Sequence, residues 1–146
     1  MKENIEFRSL CPVATSLDII GDKWTLLILR DMIWGHKTMF HEFKESPEKM
    51  PSKMLSNRLK KLESIGFISK QKGTVNKKSI YYLLEKRGFD TFPIMIEMAI
   101  FTTKHFFDHL GTTYTGDVKK RMLKDKLDYT KELILNYKQF VRLQTF

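Results

Sequence analysis

Along the 146 residues, apolar positions recur first at helical spacing, then in strand alternation, then as one long apolar segment. CPVATSLDIIGDKWTLLILRDMIWG predicts two helices. Pro12 suits a first turn, Gly21 a helix end and Asp22 a cap for the next helix, whose Trp24, Leu27, Ile28 and Leu29 are core material before a stop near Gly35. KTMFHEFKESPEKM predicts a short helix through Phe40 and Phe43, capped by Thr38 and closed by the Ser46-Pro47 turn. In PSKMLSNRLKKLESIG, Leu55, Leu59 and Leu62 form one apolar face of a helix over 52–64, started at Pro51 and ended by Gly66. FISKQKG and SIYYLLE read as two strands joined across GTVNKK, a hairpin over 67–84. From Phe89 to His109 apolar side chains lie nearly all round a helix, among them Phe92, Met95, Met98, Phe101 and Phe106. Such a helix must be buried on most sides, so packing against a second copy, a homodimer, is predicted. The tail from Asp117 reads as a further amphipathic helix or pair of helices, with Leu123, Leu127, Ile134 and Val141 in helical register, after a short connection at Gly111 to Gly116.

Helix, turn, helix and a basic two-stranded hairpin is the order of a winged helix-turn-helix, mainly α with a small β-hairpin wing. Length and a 42% hydrophobic content fit one domain with its own core. Residues 1–110 are expected to form the DNA-binding unit with its dimer helix, and 111–146 a helical extension of the same domain. No apolar run reaches the roughly 18 residues of a membrane span, and MKENIEFRSL lacks the apolar core of a secretory signal, so a cytoplasmic protein is expected. The single cysteine removes an internal disulfide and a cysteine-rich zinc site.

Net charge is +9, and its distribution changes the picture more than its size. Residues 49–78 hold nine Lys or Arg against one acid, Glu63, while the rest of the chain holds 17 basic against 16 acidic residues. Concentrated positive charge suits a polyanion, because each neutralised phosphate releases condensed counterions; a solvated surface that keeps the protein soluble is the alternative. On the helix over 52–64, the face opposite the leucines collects Lys53, Ser56, Asn57, Lys60 and Ser64, with Arg58 and Lys61 on its flanks.

The runs CPVATSLDIIGDKWTLLILRDM, HEFKESPEKMPSKMLSNRLKKLESIGFI and YYLLEKRGFDTFPIM, from Cys11 to Phe101, resemble the HxlR-type transcriptional regulators, a bacterial branch of the winged-helix proteins. The combined order of Gly-Asp-Lys-Trp, Ser-Pro-Glu and Leu-Ser-Asn-Arg-Leu carries the resemblance. It implies a dimeric regulator of double-stranded DNA, usually a repressor, with the helix over Ser52 to Ser64 in the major groove and the wing along the backbone. Two positions depart from the family's pattern. Glu85 stands where threonine is general, which changes the cap before the last helix, and Phe101 stands where tryptophan is frequent, which keeps an apolar dimer core.

Contacts with DNA divide into positioning and specifying ones. Lys60, Lys61, Lys70, Lys72, Lys77 and Lys78 suit phosphates, while Ser52, Lys53, Ser56 and Asn57, at or near the helix N-terminus, suit base edges. Arg58, beside the apolar stripe, suits either a phosphate or an internal carboxylate. A winged-helix module that binds an acidic protein partner is the alternative function.

Cys11 precedes Pro12 at a helix N-terminus, where the dipole favours a thiolate; the competing reading is a small side chain near the core. The resemblance implies a sensor of oxidants or electrophiles there, limited by the single cysteine to a bridge between protomers, a mixed disulfide or alkylation. His105 and His109 share a helix face but lack the glutamate of a metalloprotease motif, and HEFKE at His41 lacks the second histidine, so no metal and no cofactor are expected. No phosphate loop, nucleophile elbow or acid–base pair appears, leaving only a weak electrophile-scavenging enzyme built on Cys11 as a catalytic reading. Some of Phe92, Met95, Met98 and Phe106 are candidates to line a small-molecule effector pocket between dimer helices, although methionines and aromatics at helical spacing are much more often plain core.

Overall fold

The computed structural model describes residues 5–106, 117–144 and 146. Its elements run α1 (Pro12–Ile20), α2 (Thr25–Ile33), α3 (Phe40–Lys44), α4 (Ser52–Ser64), β1 (Ile68–Lys72), β2 (Ile80–Leu84), α5 (Lys86–Phe89), α6 (Phe92–His105), α7 (Asp117–Lys124) and α8 (Lys126–Leu143). The expected helix-turn-helix and hairpin are present. Asp22 caps α2 by accepting from the Trp24 and Thr25 backbone N–H groups at 3.0 and 3.1 Å. Leu55, Leu59 and Leu62 bury the inner face of α4 almost completely. Gly66 takes a φ of 74°, which lets the chain reverse out of α4 into β1 at little steric cost. The strands pair antiparallel, Ile68 opposite Leu84 and Lys72 opposite Ile80.

Thr38 does not cap α3. Its carbonyl accepts from the Tyr82 N–H at 2.7 Å, so Thr38 lies extended along β2, and Glu42 instead reaches back from inside the helix. One Glu42 oxygen accepts from the Thr38 and Met39 N–H groups, both at 2.7 Å. Glu85 occupies the N-cap of α5 without a side-chain bond to it.

The tail changes the account of α6. Ile96 is buried against Met122 of α7 and Tyr129 of α8, and Phe92 and Met95 join the core cluster that includes Tyr137 of α8, whereas Ile94, Met98, Phe101 and Phe106 stay exposed, so a second copy is not needed on every side. Phe92, fully buried, cannot line an open pocket; Met95 and Met98 border a hollow of about 140 Å³ with Leu26, Leu27, Arg30, Trp34 and Ala99. The predicted tail register also shifts. Leu123 and Leu127 face outward, and Met122, Tyr129, Thr130 and Tyr137 are the buried positions, with Ile134 and Val141 packed against the core beside Tyr137. A break at Asp125 separates α7 from α8, so one helical register cannot run through both. Trp34 Nε1 donates to the Tyr129 hydroxyl at 3.0 Å, and the Leu84 N–H donates to the Tyr137 hydroxyl at the same distance. Burial, offset in part by that N–H, pushes the Tyr137 hydroxyl up to about 12, so it stays protonated at working pH. The connection at 111–116 and His109 lie outside the described residues. Among those described, no helix is long and apolar enough to cross a membrane.

Candidate nucleic-acid interface

The eleven residues expected to contact DNA separate into two groups. Ser52, Lys53, Asn57 and Lys60 on α4, and Lys70, Lys72, Lys77 and Lys78 on the wing, are exposed, with Ser56 half-buried among them. Among the described residues none of these six lysines is in an ion pair. Their charge is therefore not neutralised internally. Pro51 supplies no side-chain cap to α4 and its first turn holds no acid, so its N-terminal N–H groups add to the positive field.

Arg58 and Lys61 point elsewhere. Arg58 Nε lies 2.9 Å from Asp22 Oδ1, off the direction of its N–H, as an ion pair rather than an aligned hydrogen bond. Of its two sequence readings, the internal carboxylate is the one the geometry matches. Burial raises the Asp22 carboxyl, but the Thr25 hydroxyl, the Trp24 and Thr25 N–H groups and Arg58 together hold it below its ordinary value. Lys61 Nζ donates to the Asp18 and Ile19 carbonyls, both at 3.2 Å, and so occupies the C-terminal end of α1. These two cations strap α4 to the α1–α2 junction, while the lysines around them face solvent.

A second set of charges fixes the turn that precedes α4. Asp31, its side chain only 10% exposed, accepts from Arg30 Nη2 at 2.7 Å, from Lys37 Nζ at 3.1 Å and from the Ser46 hydroxyl. Arg30 also binds Glu48 through two N–H donors, at 2.6 and 2.9 Å. That fork holds the Glu48 carboxyl at about 2 and raises the Arg30 pKa, with Glu48 the largest cause. Sequence reading passed over this network, although Ser46 and Glu48 belong to the Ser-Pro-Glu stretch that carries the family resemblance.

Cys11 is exposed at the N-cap of α1, and the Ala14 and Val13 N–H groups hold its thiol below the ordinary value. Among the described residues no group of three His, Cys, Asp or Glu is assembled to hold a metal.

Comparison with known proteins adds identity to this geometry. The uncharacterized HTH-type transcriptional regulator YdeP of Bacillus subtilis (strain 168) is 34% identical over 95 residues, which span 65% of this chain and 73% of YdeP. YybR, a second such regulator from that strain, is 32% identical over 88 residues, 60% of this chain and 70% of YybR. Among solved structures, the redox regulator HypR in its oxidized form superposes with a TM-score of 0.58 at 27% identity, covering 65% of this chain and 97% of HypR. The reduced form of the transcriptional regulator YodB from B. subtilis shares the fold at 23% identity, with a TM-score of 0.55 over 67% of this chain and 96% of YodB. The pattern of the HxlR-like helix-turn-helix family matches residues 19–110, from the end of α1 through α6 and short of α7 and α8. This chain belongs to the HxlR-like helix-turn-helix family of DNA-binding transcriptional regulators.

Proposed function

We propose that this regulator binds an operator as a homodimer, with α4 in the major groove, the wing along the phosphate backbone, and repression as the outcome of occupancy. The observation that carries the reading is the division of cations: six lysines on α4 and the wing face solvent without ion pairs, while Arg58 and Lys61 are used inside the fold. Lys60, Lys70, Lys72, Lys77 and Lys78 serve phosphates, and Ser52, Lys53, Ser56 and Asn57 face base edges, where asparagine pairs with adenine and lysine with guanine.

Support for the dimer comes from the exposed Ile94, Met98 and Phe101, which follow one another at i, i+4 and i+7 on α6, and from Leu10, Val13 and Leu17, equally exposed on and just before α1. The two helices adjoin, since Ile19, Ile20 and Ile94 border the same hollow. Apolar side chains exposed on two neighbouring helices are stabilised by a matching surface across a two-fold axis.

Footprinting on the duplex upstream of the coding sequence, with a random duplex of equal length as control, tests the reading. The expected result is protection of two half-sites about one helical turn apart. Asn57→Ala should weaken binding to that site by about 1–3 kcal/mol and leave random duplex nearly unchanged. Equal, weak binding to both duplexes would overturn operator recognition and turn attention to an acidic protein partner. Cys11 is the residue through which oxidants or electrophiles act on this regulator, an assignment supported by its exposed, acidified thiol and the likeness to HypR. Diamide should release the protein from DNA, and Cys11→Ser should abolish that release; release that persists in the variant rules Cys11 out.

A further inference from the structure

The outer edge of β2, away from β1, is held at two points. Near the middle of the strand the Tyr82 N–H donates to the Thr38 carbonyl at 2.7 Å, and at the strand's end the Leu84 N–H donates to the Tyr137 hydroxyl at 3.0 Å. The first partner comes from the helix-turn-helix itself. The second comes from α8, which lies beyond the residues that the family pattern covers.

Tyr137 is built in firmly. It is 2% exposed, its ring meets Phe89 edge-on at 5.7 Å, and it lies in the core cluster with Leu55, Leu59 and Leu84. Farther out along the wing, the Phe146 ring packs on Tyr81 at 4.7 Å and the Thr74 hydroxyl donates to the Phe146 carbonyl. A two-stranded hairpin is at best marginally stable by itself, so its orientation depends on what its edge and base are fastened to.

We infer that α8 is a brace for the wing and that Tyr137 is a positioning residue for DNA binding: its hydroxyl fixes the base of β2 and so holds Lys70, Lys72, Lys77 and Lys78 at one angle to α4. The inference rests on the reading of the wing as a phosphate-binding element. With the Leu84 N–H unanchored, the base of the hairpin can change its angle to α4, while the Tyr82–Thr38 bond and the Phe146 contacts hold only the middle and outer part of the wing. Its lysines then no longer reach their phosphates in the geometry that α4 imposes.

Tyr137→Phe keeps the ring in the core and removes only the hydroxyl. It should weaken operator binding by about 3- to 10-fold, the range set by one net hydrogen bond, and make the log–log salt dependence shallower. In a background with Lys70, Lys72, Lys77 and Lys78 all changed to Ala, Tyr137→Phe should have no further effect on binding, because the contacts it acts through are gone. Tyr129→Phe, which loses the Trp34 bond in the same helix away from the wing, serves as control: it should lower the melting temperature and leave the salt slope as it was. Helical circular dichroism at the assay temperature establishes that each variant is folded. Equal effects of Tyr137→Phe in both backgrounds, or a change in melting temperature with no change in salt slope, would overturn the brace. If the four lysine changes alone leave the slope unaltered, the phosphate-binding wing fails first and the brace falls with it, an outcome distinct from failure of the brace alone.

Discussion

Asp31→Ala is expected to lower stability by about 2–4 kcal/mol, against the 3–5 typical of breaking one side of a fully buried pair. The reduction from that range follows from exposure: the Asp31 side chain is 10% exposed, but Arg30 and Lys37 remain 26% and 22% exposed and can turn partly to water when the carboxylate is gone. The Ser46 hydroxyl loses its acceptor at the same time, and with it goes the tie between α2 and the turn that launches α4. Asp31→Asn, which keeps an acceptor for Ser46 and discards the charge, should lie between the wild type and the alanine variant. Urea unfolding measures both. A loss below about 1 kcal/mol for Asp31→Ala would mean that the surrounding cations are solvated well enough to stand alone, and that the network does not fix the turn.

The same network sets part of the acid limb. Glu48 titrates near 2 in the folded protein against an ordinary 4.5, chiefly because it accepts the Arg30 hydrogen bonds. A depressed folded value makes the contribution complete above pH 4.5 and removes it as pH falls toward 2. Glu48→Gln should therefore flatten the stability curve in that window and leave its shape near neutrality unchanged.

Much of the fold is legible in the sequence because it is encoded locally. The i, i+4, i+7 leucines of α4 and the Asp22 cap need only a few neighbouring residues to be read and stand where the pattern places them, and β2 forms over its apolar run, although its burial rises from exposed Ile80 to buried Leu84 instead of alternating. The departures have a common cause in contacts distant along the chain. Thr38 could not be seen to be occupied, because its partner Tyr82 lies on β2. The inner side of α6 could not be assigned to this chain's own tail, since periodicity describes a face and not what covers it. The sequence leaves Arg58 open between phosphate and carboxylate, because its partner Asp22 lies far along the chain in the α1–α2 turn. Tyr137 carried no signal at all: a tyrosine in an amphipathic helix becomes an anchor only when a strand edge happens to lie opposite its hydroxyl.

For the proposed dimer on its operator, raising salt from about 50 to 200 mM is expected to weaken binding by roughly 10³- to 10⁵-fold, the loss associated with six to ten phosphate contacts. Each protomer directs five lysines on α4 and the wing at phosphates, so the pair offers ten, which covers that number. Removal of a single phosphate-binding lysine acts twice in a symmetric dimer and should lessen the log–log slope by about 2. Lys72→Ala and Lys78→Ala, on the wing, should behave in this way for operator and random duplex alike. Lys61→Ala makes the sharper comparison. Its ammonium is held by the Asp18 and Ile19 carbonyls at the end of α1, so its loss should lower the melting temperature with little effect on the slope. A diffuse cloud of positive charge would instead respond equally to every lysine removed, Lys61 included. Equal slopes for Lys61→Ala and Lys72→Ala would therefore refute the division of cations into straps and contacts on which the DNA-binding assignment of individual residues depends.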